Sequence, residues 1–585
     1  MAMSKVRTLF RGALVIILGI GMPLGPCFGA EHLGASSFDQ AMLEFRAGHT
    51  EQAAAQLQRL TIAEPKNAAA WRALGTTYLK LKQTAPAVAA LQAARELEPG
   101  AARTLYQLGV TYAVSGDLDA AFTWLREAKA TGRYDMTEIS VDDRLATLRA
   151  DARFTALLPR AQDFEHPFVE PVKIIREWRG EAAGDQFGWI ARPIGDVDGD
   201  GVVDIVTSAP THGEKASHAG RVYVYSVGSG KLLWSADGQP GDELGSGIEG
   251  IGDTDGDGIP DVIASAPSGP GVVFIYSGRD GHVLQSLHAL RTDELFGNHI
   301  SGMGDVNGDG YPDLIVGAPG KDDAKDNSGH AYVYSGHTGE LLATLHGERP
   351  GDQFGSAVAA RMIAGKSVIV VGAPMAGADR HGRVYVYDGR SMKVKFIIEA
   401  DATASALGAM FLAVMDDWQG GSAAIYASDW SNNARGLSTG RIYLHSASTG
   451  KRLWTLTGET AGDGFGTSPS VAGDVDGDGH GDLIVGAWQY GGAAVSGGRA
   501  YLYSGRTHAL LRTYTCRIPG DTFGFDAVGL GDVDGDGVDD LLITSGWSAV
   551  SGNHSGRIFV ISSGVAKRNA RKPARPAAYP SRWAK

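Results

Sequence analysis

Five short stretches of this chain set acidic side chains at alternate positions. They are Asp196, Asp198, Asp200, Asp204; Asp253, Asp255, Asp257, Asp261; Asp305, Asn307, Asp309, Asp313; Asp474, Asp476, Asp478, Asp482; and Asp532, Asp534, Asp536, Asp540, with glycines between the acids. Alternate oxygen-bearing side chains on a tight loop converge on one point, and the glycines permit the positive φ such a loop needs. The residue two before the last aspartate (Val202, Ile259, Tyr311, His480 or Val538) can add a backbone carbonyl. About six hard oxygen ligands suit Ca2+ better than Zn2+. Without a cation the clustered carboxylates would repel one another, so the pattern predicts about five calcium ions. An EF-hand needs Glu at its twelfth position, where these loops have Thr207, Ala264, Val316, Val485 and Ile543. They close instead at the ninth position and run straight into a strand.

The loops sit inside a larger period. Phe187-Gly188, Leu244-Gly245, Phe296-Gly297, Phe354-Gly355, Leu407-Gly408, Phe465-Gly466 and Phe523-Gly524 open seven units, 52 to 58 residues apart. After the acidic loop comes an apolar run such as Leu314-Ile315-Val316, then a small turn such as Gly317-Ala318-Pro319. An alternating strand such as Arg221 to Tyr225 and a last strand such as Leu232-Leu233-Trp234 complete a unit. Short, evenly spaced strands in four-strand units predict a propeller. The seventh unit lacks its last strand, and an orphan strand, Lys173 to Trp178, precedes the first. That strand is expected to complete the final blade and leave no free edge. In units four and five, Arg361 and Lys366 flank one loop position and Asp416-Asp417 stand near the other. No ion is expected in either.

These motifs resemble the FG-GAP repeat, and the region is similar to the head of an integrin α-subunit. The resemblance implies a seven-bladed β-propeller over 168–564, with calcium loops on the face turned away from partners and so acting as scaffold. Local departures stand where that family has Gly-Ala-Pro: Ser428-Asp429-Trp430, Gly486-Ala487-Trp488 and Ser545-Gly546-Trp547.

A second period of 34 residues runs from about 37 to 132. Ala41, Gly75 and Gly109 align, as do Ala53, Ala87 and Ala121, then Leu57, Leu91 and Leu125. Small residues let paired helices approach and large ones fill the gap. The pattern resembles tetratricopeptide (TPR) repeats, about three of them, with a trailing helix near Val141–Leu158 within a helical domain of 37–160. The resemblance implies a groove for a peptide or protein partner. The fold class is therefore multidomain, all-α hairpins followed by an all-β propeller.

Residues 1–30 read as a secretory signal, with Lys5, Arg7 and Arg11 ahead of an apolar stretch from Ala13 to Gly21. Export is expected, to the periplasm, cell surface or extracellular space. No later run is long and apolar enough to span a membrane. Beyond Cys27 in that leader, Cys516 is the one cysteine, so bound metal rather than a disulfide would staple the mature chain. The formal net charge of −13 argues against nucleic-acid affinity. Residues 565–585, basic and rich in Pro and Ala, read as a disordered tail. No His-Glu-x-x-His is present. The expected function is non-enzymatic: a protein or glycan ligand on the propeller face and a second partner on the helical groove. The alternatives are a polysaccharide-acting lyase or hydrolase on a propeller scaffold, or a purely structural envelope component.

Overall fold

The computed structural model describes residues 37–567, apart from 214–216, 292, 321–327 and 420–421. The leader and nearly all of the basic tail lie outside the described residues. Among the described residues, no helix is long and apolar enough to cross a membrane.

Three antiparallel helix pairs come first: Ser37–Arg46 with Thr50–Ala63, Ala68–Lys80 with Thr84–Leu97, and Ala102–Ser115 with Leu118–Ala130. Asn67 and Asp117 cap two of these helices by accepting the amides of Ala70 and Ala120, which satisfies otherwise orphaned donors. The aligned glycines have a steric cause. A Cβ on Gly75 would stand 2.5 Å from Leu91 Cγ, and one on Gly109 would stand 2.7 Å from Leu125 Cγ. Leu57, Leu91 and Leu125 are fully buried, as are Ala53, Ala87 and Ala121.

The expected trailing helix is not formed. The chain instead makes two 3-10 turns, Met136–Ser140 and Asp143–Leu148, and one short α-turn, Ala152–Thr155. Asp135, Asp142 and Asp151 each accept the amide two residues ahead, from Thr137, Arg144 and Arg153. Each side chain thereby starts a new turn and stops a continuous helix from forming. The apolar side chains Met136, Ile139, Leu145 and Leu148 pack into the core of the third repeat with Tyr106 and Val110.

The remaining described residues form seven four-stranded antiparallel sheets. The inner strands are Ala191–Gly195, Gly247–Gly252, His299–Gly304, Val358–Ile363, Leu412–Gln419, Phe465–Gly473 and Ala527–Gly531. Each packs against the next, and the last against the first, closing the ring. The seventh sheet takes its outer strand, Ile174–Arg179, from before the first blade, paired with Arg557–Ser562. Arg176 and Trp178 on that strand also donate to the carbonyls of Gly228 and Gly230 in blade one. The repeated Phe-Gly joins neighbouring blades: Phe187 forms a parallel bridge with Gly556. Gly188 adopts φ +81°, and a Cβ there would meet Ile558 at 2.5 Å.

The helical module is seated on blades six and seven. Phe168 stacks edge-on against Phe523 and Phe559 at 5.0 and 5.3 Å. The Val169 amide donates to the Thr515 carbonyl, and Asn553 Nδ2 donates to Thr137 Oγ1 at 3.0 Å. Strands in a blade alternate in direction, so the connections from second to third strand and from blade to blade share one face. The helical module contacts that face, opposite the acidic loops.

Candidate metal centres

Each acidic loop joins an inner strand to a fully buried second strand. In the first, Asp196 accepts three backbone amides: Gly199 at 2.7 Å, Asp200 at 3.1 Å and Gly201 at 2.9 Å. Asp198 Oδ1 accepts the Asp200 amide, and Asp200 Oδ1 accepts the Val202 amide. The wrap repeats at Asp253, Asp305, Asp474 and Asp532. The amides of Ile259, Tyr311, His480 and Val538 likewise donate to Asp257, Asp309, Asp478 and Asp536.

These bonds gather carboxylates. One oxygen from each of Asp196, Asp198 and Asp204 lies within 4.8 Å of the other two. The same holds for Asp253, Asp255 and Asp261; Asp474, Asp476 and Asp482; and Asp532, Asp534 and Asp540. In the third loop Asn307 replaces a carboxylate, and its Nδ2 donates to Asp309 Oδ2 at 2.8 Å. The acids at the fifth position, Asp200, Asp257, Asp478 and Asp536, stand outside these trios.

The donor set fits a hard divalent cation, being carboxylate and amide oxygen throughout. Asp478 supports the fit: its side chain is only 3% exposed, yet Oδ2 has no hydrogen-bond partner. Burial pushes the closing carboxyls up, Asp204 and Asp540 to about 7 and Asp261, Asp313 and Asp482 to about 6. A cation would offset that desolvation.

Three features escaped the sequence reading. First, the closing aspartate is a clip as well as a candidate ligand. Asp204 Oδ2 accepts the Val197 amide at 2.8 Å while Oδ1 accepts that of Val227 at 3.2 Å. Asp261 and Asp482 do the same through Gly278 and Gly505, tying the loop to the hairpin between the outer strands. Second, cations of the chain reach two loops. Lys173 Nζ lies 2.6 Å from both Asp534 and Asp536, and Arg279 lies 2.8 Å from Asp257. Lys173 precedes the closing strand, so only the ring topology brings it there. Third, Gly436-Leu437-Ser438-Thr439-Gly440 matches the spacing of an esterase nucleophile elbow. It lies in a blade-five loop between two strands rather than on a strand-to-helix turn, so it lacks the context that chemistry needs.

Blades four and five differ as the sequence implied. Val358–Ile363 turns directly into Lys366–Ala373. Arg361 on blade four reaches across to Asp416 on blade five at 3.0 Å.

The fold and loops define a class: a seven-bladed propeller that carries FG-GAP repeats and resembles that of integrin α-subunits, joined to N-terminal TPR repeats. The FG-GAP repeat model matches residues 187–225, 296–334, 465–503 and 525–561. A tetratricopeptide repeat model matches 38–87 and 73–135. Curated relatives include Integrin alpha-2 of Mus musculus, 32% identical over 169 residues, or 26% of this chain and 14% of that protein. Integrin alpha-PS5 of Drosophila melanogaster is 29% identical over 34% of this chain and 21% of its own length. Integrin alpha-IIb of Homo sapiens is 35% identical over 24% and 16%. The match thus spans about a fifth or less of these relatives.

Proposed function

We propose that this protein is an exported, calcium-loaded binding protein without catalytic function. The five loops hold Ca2+ through the aspartates described above, with Asn307 in the third and the carbonyls of Val202, Ile259, Tyr311, His480 and Val538 completing the shells. The ions support the blades. The propeller face away from them holds a protein or carbohydrate ligand, and the helical repeats hold a second protein. The observation that carries this reading is the division of the ring into two faces. The near-identical acidic loops share one face, and connections that differ from blade to blade share the other. The fragmentary similarity to integrin α proteins supports binding and adhesion over catalysis.

The test is a pull-down from envelope extract with the full chain, in calcium and in chelator. A partner retained in calcium and released by chelation supports the proposal. Retention indifferent to chelation, together with a metal content of zero, would overturn the calcium part. Turnover of a glycan by the purified protein would overturn the non-enzymatic part.

A further inference from the structure

The propeller axis encloses a cavity of about 760 Å3, within the roughly 300–1,000 Å3 range of small-ligand sites. Its two ends differ in chemistry. At the mouth opposite the acidic loops, aromatic side chains of blades one, five and seven enter the wall. Trp189, Trp430, Phe411 and Phe525 line it. Trp488 and Trp547 stand behind them, with ring centroids 5.6 and 5.4 Å from Phe525. Trp430, Trp488 and Trp547 occupy the turn where blades one to four carry Pro210, Pro267, Pro319 and Pro374. The collar is thus confined to blades five to seven and Trp189 of blade one. Trp189 and Trp430 are half-buried, so part of each side chain stays accessible to a ligand.

Below the collar the wall turns polar. Arg192 is paired with Asp526, and Arg361 with Asp416. Glu249 accepts the Gly302 amide at 3.3 Å, and His299 Nδ1 is buried with no hydrogen-bond partner. Both guanidinium groups are already neutralised, which disfavours an anionic ligand. Burial pushes the Glu249 carboxyl towards its neutral form, which disfavours a cationic one. A neutral ligand with apolar faces and many hydroxyls matches both halves, because aromatic faces stack on apolar ring surface while paired carboxylates and imidazole still accept hydrogen bonds.

We propose that the central cavity binds the end of a neutral oligosaccharide, its sugar faces on Trp189, Trp430, Phe411 and Phe525 and its hydroxyls on Glu249 and His299. This rests on reading the propeller as a binding module, and it assigns that module a site and a ligand class.

The test titrates the full calcium-loaded chain with cello-, xylo-, manno- and chito-oligosaccharides, and with oligogalacturonate as an anionic comparison, following tryptophan fluorescence and heat. At least one neutral series is expected to bind and to shift the emission. Trp430→Ala should weaken that binding tenfold or more in protein whose melting curve in calcium shows it still fully folded at the titration temperature. Glu249→Met, similar in length but without the hydrogen-bonding oxygens, should weaken it by about 3- to 10-fold, as expected for one lost hydrogen bond. Preference for the anionic series, or affinity unchanged in both variants, overturns the assignment. If no sugar binds while an envelope protein is still captured in calcium, the glycan inference fails and the binding-module reading stands. If neither is captured, both fail.

Discussion

The Arg557 guanidinium donates to Asp521 at 2.9 Å with neither side chain exposed to solvent. Arg557 belongs to the third strand of blade seven, and its other nitrogen donates to the Phe164 carbonyl in the segment descending from the helical repeats. One buried ion pair therefore lies at the join between the two modules. Removing one partner of such a pair strands the other charge, at a cost of about 3–5 kcal/mol. Arg557→Met should lower the unfolding free energy of the propeller by that amount in a denaturant titration. Pairing it with Asp521→Leu should recover much of the loss.

Cys516 lies beside this pair, its Sγ 3.4 Å from Asp521. Burial first, and then the neighbouring Asp521 charge, push its thiol well above the usual range. Reactivity follows the thiolate and access to it. A thiol reagent should leave the native protein unlabelled and modify Cys516 at the rate at which the join opens. Arg557→Met should accelerate that labelling. Rapid labelling of the native wild type would contradict the burial described.

Removing calcium should lower the melting temperature. An ion held at a hundred times its dissociation constant stabilises by about 2.7 kcal/mol per site. Calorimetry in calcium and in EDTA measures the difference, and elemental analysis should return about five ions. Asp253→Ala should lower that count by one. An equal melting point in both buffers would show the loops to be solvated turns.

Lys173 carries a prediction of its own. Its ammonium sits between Asp534 and Asp536 and holds the Asp536 carboxyl below the usual range. A cation supplied by the chain competes with one from solution. Lys173→Met should tighten calcium binding at the seventh-blade loop several-fold and make the apo protein less stable. Isothermal titration of the variant against wild type reads the first change, and thermal melting of both proteins in EDTA reads the second.

Two histidines set an acid limit. Burial holds His299 and His554 down, each to about 4, against about 6.5 in an unfolded chain. The unfolded state then binds more protons between those values. The contribution of each neutral imidazole is complete above pH 6.5 and is lost as pH falls towards 4. Each group adds a slope of at most about 1.4 kcal/mol per pH unit. Measured in saturating calcium, so that the loop carboxylates stay ligated, the slope should flatten in His554→Gln and flatten further with His299→Gln.

Much of this architecture is written locally. Phe187-Gly188 and its six counterparts, the apolar second strands and the alternate aspartates are short-range patterns that each blade repeats. The orphan strand from Lys173 to Trp178 could be assigned to the last blade by counting. What the sequence withheld depends on contacts between distant residues. Nothing near Asp534 announces Lys173, and nothing near Asp521 announces Arg557. The stretch from Val141 to Leu158 has helical composition, yet Asp142 and Asp151 capture nearby amides and break it. The three tryptophans were visible as departures at the turn after the second strand. That Trp430 lines a cavity with Trp488 and Trp547 packed behind its wall follows only from the order of blades around the axis.

The pairing of Ile174 with Ile561 also bears on how the chain is made. The strand that completes the last blade leaves the ribosome before any blade exists. At about 5–20 residues per second, it waits tens of seconds for its partner, with its backbone donors and acceptors exposed to strand addition. The wheel can therefore lock only after synthesis of the whole repeat array is nearly finished. Until then the nascent chain carries an adhesive ribbon that neighbouring chains or chaperones can reach.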